Sequence, residues 1–232
     1  MRTPVRTNRQ AIALRAALAS SLFVFASPVF CDTVVSLTGP VTPSEISGFA
    51  GTPFTLGAPE GSHGVNGLWS VEHNDKPCYI ASMTEDVNVS GSDSDAIKDL
   101  CRSKATSSEM KAQFGDIKFA RHTFVRALRV CMNNAKDQMK GFQIRGRGID
   151  SNGNVTDLPS RHASLSGSSG MSVLADLNAP NDERLNCEDW KKWVECPKGQ
   201  IATALTAHFG PGPDPRSVTG IALQCRLVSK GG

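Results

Sequence analysis

Trp190 and Trp193 stand three residues apart in "CEDWKKWVEC", between Cys187 and Cys196, with Asp189, Glu195 and two lysines beside them. Those residue types suit a sugar. An indole face stacks on the C–H face of a pyranose ring, and carboxylates and ammonium groups exchange hydrogen bonds with its hydroxyls. Indoles also pack over disulfides as the core of a small β domain, and one tryptophan could serve each role. Trp69 carries the same pair of alternatives. The candidate ligand-binding residues are therefore Trp69, Trp190, Trp193 and Asp189.

Two further stretches offer oxygen donors. "DVNVSGSD" begins like a calcium loop, with Asp86, Asn88 and Ser90 at alternate positions and Gly91 at the sixth, but the twelfth position is Ile97 where a bidentate carboxylate is required. "GIDSNGNVTD" presents Asp150, Asn152, Asn154 and Asp157, and its Asn-Gly step reads first as a tight turn between strands. Asn88 and Asn154 both begin a glycosylation sequon, which has meaning only in a host that glycosylates. Neither a Gly-x-Ser-x-Gly elbow nor a His-Glu-x-x-His pair occurs. His122 and His208 fall in or beside strands. Acid pairs such as Asp182 with Glu183 and Glu188 with Asp189 could do glycosidase chemistry only if the fold held two carboxylates at the required separation. No catalytic residue, metal or cofactor is implied.

The chain has seven cysteines. Its beginning has the build of a secretory leader: Arg2, Arg6, Arg9 and Arg15, then an almost uncharged apolar run from Ala16 to Phe30, shorter than the ~20 residues of a spanning helix. Cleavage after Cys31, or less favourably after Ala26, would give a leader of residues 1–31 and a mature chain of 32–232. Loss of Cys31 leaves an even set, Cys78, Cys101, Cys131, Cys187, Cys196 and Cys225, which in an exported chain reads as a disulfide framework. The leader also carries the basic excess. Without its four arginines the 25 basic side chains fall to 21, against 22 acidic ones. A phosphate-neutralising surface for nucleic acid therefore has little support, and no second run could enter a membrane.

Strand signals dominate the elements that must hold these residues. Alternating segments such as "TFVRALRVCM", "GFQIRGRGI", "IATALTAHF" and "GIALQCRLV" are separated by turn formers, as expected of antiparallel sheets. One segment, "SDAIKDLCRSKA", suggests a short helix or loop insertion, with Ser94 as cap and Ile97, Leu100 and Cys101 on one face. The spacings Leu56 to Gly67, Val130 to Gly141 and Phe209 to Gly220 are all 11, which suggests three hairpin repeats near 50–119, 120–186 and 187–232.

The stretch from Cys196 to Cys225, with "CPKGQIATALTAHF" and then "VTGIALQC", resembles the Cys-Pro-x-Gly opening and Gly-apolar-x-apolar-x-Cys closing of the vitelline membrane outer layer protein I family. The resemblance is thinner over Val125 to Arg147 and is mainly spacing upstream of Phe124. It implies three antiparallel Greek-key sheets in a β-prism. The chain departs from the family in its longer repeats and in the insertion "VNVSGSDSDAIKDLCRSKATSSEMKAQF".

If the two terminal strands pair, Cys196 and Cys225 face each other and a bridge closes that hairpin. Six cysteines allow fifteen connectivities; proximity then suggests Cys78 with Cys101, and elimination leaves Cys131 with Cys187. The expectation is a secreted, non-catalytic protein that recognises extracellular polysaccharide or glycoprotein. The alternatives are a carbohydrate-active enzyme, since transferase-like activity has been suspected in the similar family, or a structural protein of an outer coat.

Overall fold

The alternating segments become strands, and the computed structural model describes them over residues 34–73, 76–88, 93–101, 114–164, 172–174, 189–211 and 216–230. The chain begins with β1 (Val35–Pro43), β2 (Ser47–Gly48) and β3 (Thr52–Gly57). It continues through β4 (His63–His73), β5 (Lys76–Asp86), β6 (Asp93–Asp99) and β7 (Phe114–Lys118). Then follow β8 (Thr123–Met132), β9 (Met139–Ile149), β10 (Val155–Ser164), β11 (Ser172–Leu174), β12 (Asp189–Trp190) and β13 (Val194–Glu195). The last two are β14 (Gln200–Phe209) and β15 (Val218–Lys230).

These form three antiparallel sheets. Sheet II has the order β6-β5-β4-β7, so three hairpin-connected strands are followed by a fourth that returns beside the first, the Greek-key arrangement. Sheet III repeats it, with β12 and β13 returning beside β8 in the order β11-β10-β9-β8-β12. Sheet I has the order β1-β15-β14-β3, so its central hairpin comes late in the sequence and is flanked by strands from near the beginning.

One apolar cluster joins the three sheets. Leu56, Leu205, Phe209, Ile221 and Leu223 come from sheet I, Val65, Leu68 and Ile80 from sheet II, and Leu128, Val130, Phe142 and Ile144 from sheet III. Each is essentially removed from water, which stabilises the fold by roughly 1.5–3 kcal/mol per large side chain. Three Greek-key sheets around a shared core make the fold β-prism-like. On β8 and β9 the inward set is Leu128, Val130, Phe142 and Ile144, so Arg129, Gln143 and Arg145 face outward by the two-residue period.

The structure corrects the expected helix. Asp93–Asp99 is strand β6, paired with β5 from Tyr79↔Asp99 to Glu85↔Asp93. Ile97, meant for a buried helical face, is 52% exposed, and Ser94 exchanges hydrogen bonds with Thr84 (2.7 Å between hydroxyls) instead of capping. Backbone pairing along the open edge of β5 outweighs the weak propensity of a short helix. Of the three suggested repeats, the hairpins β8–β9 and β14–β15 carry Gly141 and Gly220 at the third residue of their second strands. In β4–β5 that position is Cys78; Leu56 belongs to β3 and Gly67 to β4, so the first 11-residue spacing links two different sheets.

Cys78–Cys101 and Cys196–Cys225 are bridged, and Cys131 is also disulfide-bonded; Cys187, proposed as its partner, lies outside the described residues. Two disulfides fit an oxidising compartment. The second bridge has a different job from the one anticipated. Cys196 precedes β14, and its N–H donates to the Arg126 carbonyl of β8 (2.7 Å), while Cys225 pairs with Ala202 in β14 and Thr42 in β1. The turn closed by Gln200 N–H to Pro197 O (3.0 Å), with Gly199 at φ 79°, offsets Cys196 from the hairpin. The bridge thus ties the edge of sheet III to sheet I.

Candidate functional site: a cavity at one end of the sheets

Four segments meet at one end of the sheets around a cavity of about 240 Å³. Val35, Val87 and Ile149 supply apolar wall; Asn88, His122, Asp150 and Ser151 supply polar groups. They come from the start of β1, the end of β5, the turn before β8 and the loop after β9. All three sheets therefore contribute.

The two stretches whose oxygen donors drew notice in the sequence converge here. After β5 the Asp86 carboxylate accepts from Asn88 N–H (2.8 Å), turning the chain. The Asn88 amide then pairs with the backbone of Val35, accepting from its N–H (2.7 Å) and donating to its carbonyl (2.5 Å). That leaves one amide hydrogen and one carbonyl lone pair for a ligand. In the β9–β10 loop, Asp150 accepts from the backbone N–H groups of Asn152 (2.9 Å) and Asn154 (2.8 Å) and from the Asn154 side chain (2.8 Å). The turn read from the sequence is present, with Gly153 at φ 70°. The Asn154 side-chain hydrogen bond is the main cause holding the Asp150 carboxyl below its ordinary range, so it is anionic at neutral pH.

His122 was seen in the sequence only as a residue beside a strand. It sits at φ 56°, an uncommon backbone region for a residue with a side chain. Its N–H donates to Glu85 Oε1 (3.2 Å), and its carbonyl accepts from Ile149 N–H (2.8 Å). Glu85 is almost wholly buried and takes a second hydrogen bond from Asn66 Nδ2 (2.9 Å). Behind the imidazole, whose Nδ1 is 4.0 Å from Glu85, lies a fixed carboxylate that orients the wall. No short-range sequence signal joins Glu85 to His122, 37 residues away. Asp150 is the single carboxylate among the described lining residues.

The sequence-derived candidates lie elsewhere and fall on two faces. Trp69, on β4, meets Tyr79 edge-on (4.9 Å between centroids) in a small cluster with Val71 and Ala81 on sheet II. Trp190, Trp193 and Asp189 lie at the outer face of sheet III. There the Arg129 guanidinium sits 4.7 Å from the Trp190 centroid and 5.0 Å from that of Trp193, and Arg145 sits 4.0 Å from Trp193. The indoles are thus engaged by arginine, a contact that neither alternative of the sequence reading included. Asp189 accepts from Lys191 Nζ (2.6 Å) and pairs with Lys136 (3.7 Å), and the Lys191 hydrogen bond chiefly lowers its pKa. The arginines were legible only as outward positions of alternating strands.

The chain is similar in fold to the Calystegia sepium agglutinin, at 8% identity and a TM-score of 0.46 over 82% of this chain and 98% of that one. It is likewise similar to Calsepa lectin, solved in complex with a bisected glycan, at 7% identity and a TM-score of 0.43 over 81% and 98%. No protein-family model and no curated protein sequence matches the chain.

Proposed function

We propose that the protein binds glycan without catalysis, holding one sugar residue in the end cavity. The observation that carries this reading is the convergence of Asp150, His122, Asn88 and Ser151 with an apolar wall at a hollow of about 240 Å³. That volume lies below the ~300–1,000 Å³ of sites for drug-sized molecules and suits a single pyranose. Asp150 accepts from one hydroxyl through its remaining Oδ2 lone pair, Asn88 and His122 exchange hydrogen bonds with others, and Val35, Val87 and Ile149 take the C–H face. A glycosidase needs two carboxylates across its substrate, and the described lining residues supply one. Residues 1–31 are, in this proposal, a leader removed on export, so the domain meets extracellular or periplasmic polysaccharide or glycoprotein. Kinship with the vitelline membrane outer layer protein I family belongs to the same proposal and rests on Cys196 to Cys225.

Glycan-array binding followed by calorimetry with the best neutral oligosaccharide tests it. Asp150→Asn and His122→Gly should each weaken binding at least tenfold, and glycine suits the backbone at 122, so the second variant should keep its melting temperature. Retention of no glycan, or full affinity in both variants, would overturn the reading.

A further inference from the structure

The outer face of sheet III carries a continuous line of charge and aromatic rings that the end cavity does not use. Arg147 Nε donates to Asp157 (2.7 Å), and Arg126 bridges Asp157 (3.4 Å) and Glu195 (3.3 Å). Glu195 also takes Arg145 (3.0 Å), whose guanidinium lies over Trp193, which in turn meets Arg129 and so leads to Trp190. Among the described residues four guanidinium groups are set against two carboxylates, the nearby Asp189 being taken up by Lys191 and Lys136.

The imbalance falls at one end of the line. Arg129 Nε–H donates to the neutral Gln143 Oε1 (2.7 Å), and among the described residues no carboxylate reaches Arg129. Besides Gln143 its charge meets, among the described residues, the indole faces, which attract a cation weakly by comparison with an anion and leave its terminal N–H groups to a ligand. Arg145 shares Trp193 with it, so two like charges flank one ring. Burial first, and Arg145 second, push the Arg129 pKa down from its ordinary value, in keeping with a cation that no described carboxylate neutralises.

We propose that this guanidinium–indole strip is a second binding site, for the sulfate or carboxylate groups of an acidic polysaccharide. The planar guanidinium fork matches a sulfate or carboxylate oxygen pair, and stacking on indole fixes its orientation beforehand. Gln143 and Arg145 are alternate residues of β9, so their side chains rise about 7 Å apart on one face. Arg129 pairs across from Gln143, which extends the row to β8. Such spacing suits a polymer that carries anions along its length. The half-buried indoles of Trp190 and Trp193 offer its sugar rings an apolar contact.

The test uses the oxidised mature domain with dextran sulfate, polygalacturonate, neutral dextran and a single-stranded oligonucleotide. Binding is read by tryptophan fluorescence and by retention at 50 and 300 mM salt. The two acidic polysaccharides should shift the fluorescence in a salt-reversible way, with the better of them naming the anion, and neutral dextran should not. Arg129→Gln and Arg145→Gln should each weaken binding at least tenfold at an unchanged melting temperature. Arg129→Lys, which keeps charge but loses the fork, should fall between and serves if the glutamine variants fold poorly. Wild-type affinity in a folded Arg129→Gln or Arg129→Lys variant would overturn the proposal. So would oligonucleotide binding as tight as that of either polysaccharide, or no response to both. Asp150→Asn should leave this binding intact, which separates failure here from failure at the cavity.

Discussion

Replacing both Cys196 and Cys225 by alanine should destabilise the domain by about 3–4 kcal/mol. The bridge spans 29 positions and closes a loop of about 30 residues, whose chain-entropy contribution is ~3.6 kcal/mol at 25 °C. Cys78–Cys101 spans 23 positions, giving ~3.4 kcal/mol in the same treatment. If the unfolded chain alone mattered, the two double variants would be nearly equal. They should differ, because Cys225 is fully buried in the core cluster and its partner ties sheet III to sheet I, whereas Cys101 pins only the outer strand β6. The loss at Cys196/Cys225 should therefore be the larger. At ~2–4 °C per kcal/mol for a domain of this size, it lowers the melting temperature by about 7–14 °C. Equilibrium urea unfolding of each oxidised protein measures both terms, and the m-value should rise as the freed unfolded chain expands. A loss under ~1 kcal/mol at Cys196/Cys225, or a smaller loss there than at Cys78/Cys101, would refute the role assigned to the inter-sheet bridge.

Gly48→Ala should destabilise by at least ~1–3 kcal/mol in the same urea assay, since Gly48 has φ 100° and an added Cβ would come 2.3 Å from the Thr219 carbonyl oxygen. The Asp157 carboxyl is held below its ordinary pKa, chiefly by the hydrogen bond from Arg147. A depressed folded-state pKa means its stabilisation is present above the unfolded value near 4 and is lost as pH falls through the folded one. The urea midpoint of the wild type should thus drop more steeply below about pH 4 than that of Asp157→Asn. Trp190→Ala should cost only ~0.5–1 kcal/mol beyond its buried area, the worth of one partly exposed cation–π contact, and leave neutral-sugar binding in calorimetry unchanged.

Local pattern carried much of the architecture. Period-two alternation in "TFVRALRV" and "GFQIR" put Leu128, Val130, Phe142 and Ile144 on one face, and the structure buries all four. Cysteine parity and the hairpin reading led to Cys196 and Cys225. The same local signals failed at Asp93–Asp99, where Ile97 and Leu100 fit a helical face about as well as an edge strand, and the free edge of β5 decided. They offered the tryptophans as sugar platform or core packing and were silent on Arg129 and Arg145, because nothing within a few residues of Trp193 announces those arginines.

By itself, then, the sequence determined that the chain makes punctuated antiparallel strands stapled by disulfides. Both properties are written over short spans, in the alternation of side chains and in the presence of sulfur. Which strands share a sheet was decided by tertiary structure, as when Val35 pairs with Lys230. So was the cavity, because Asn88, His122 and Asp150 are brought together only when three sheets close around one core. The free energy of that closure comes from burying apolar surface supplied by all three sheets at once, and no stretch of one strand's length encodes it.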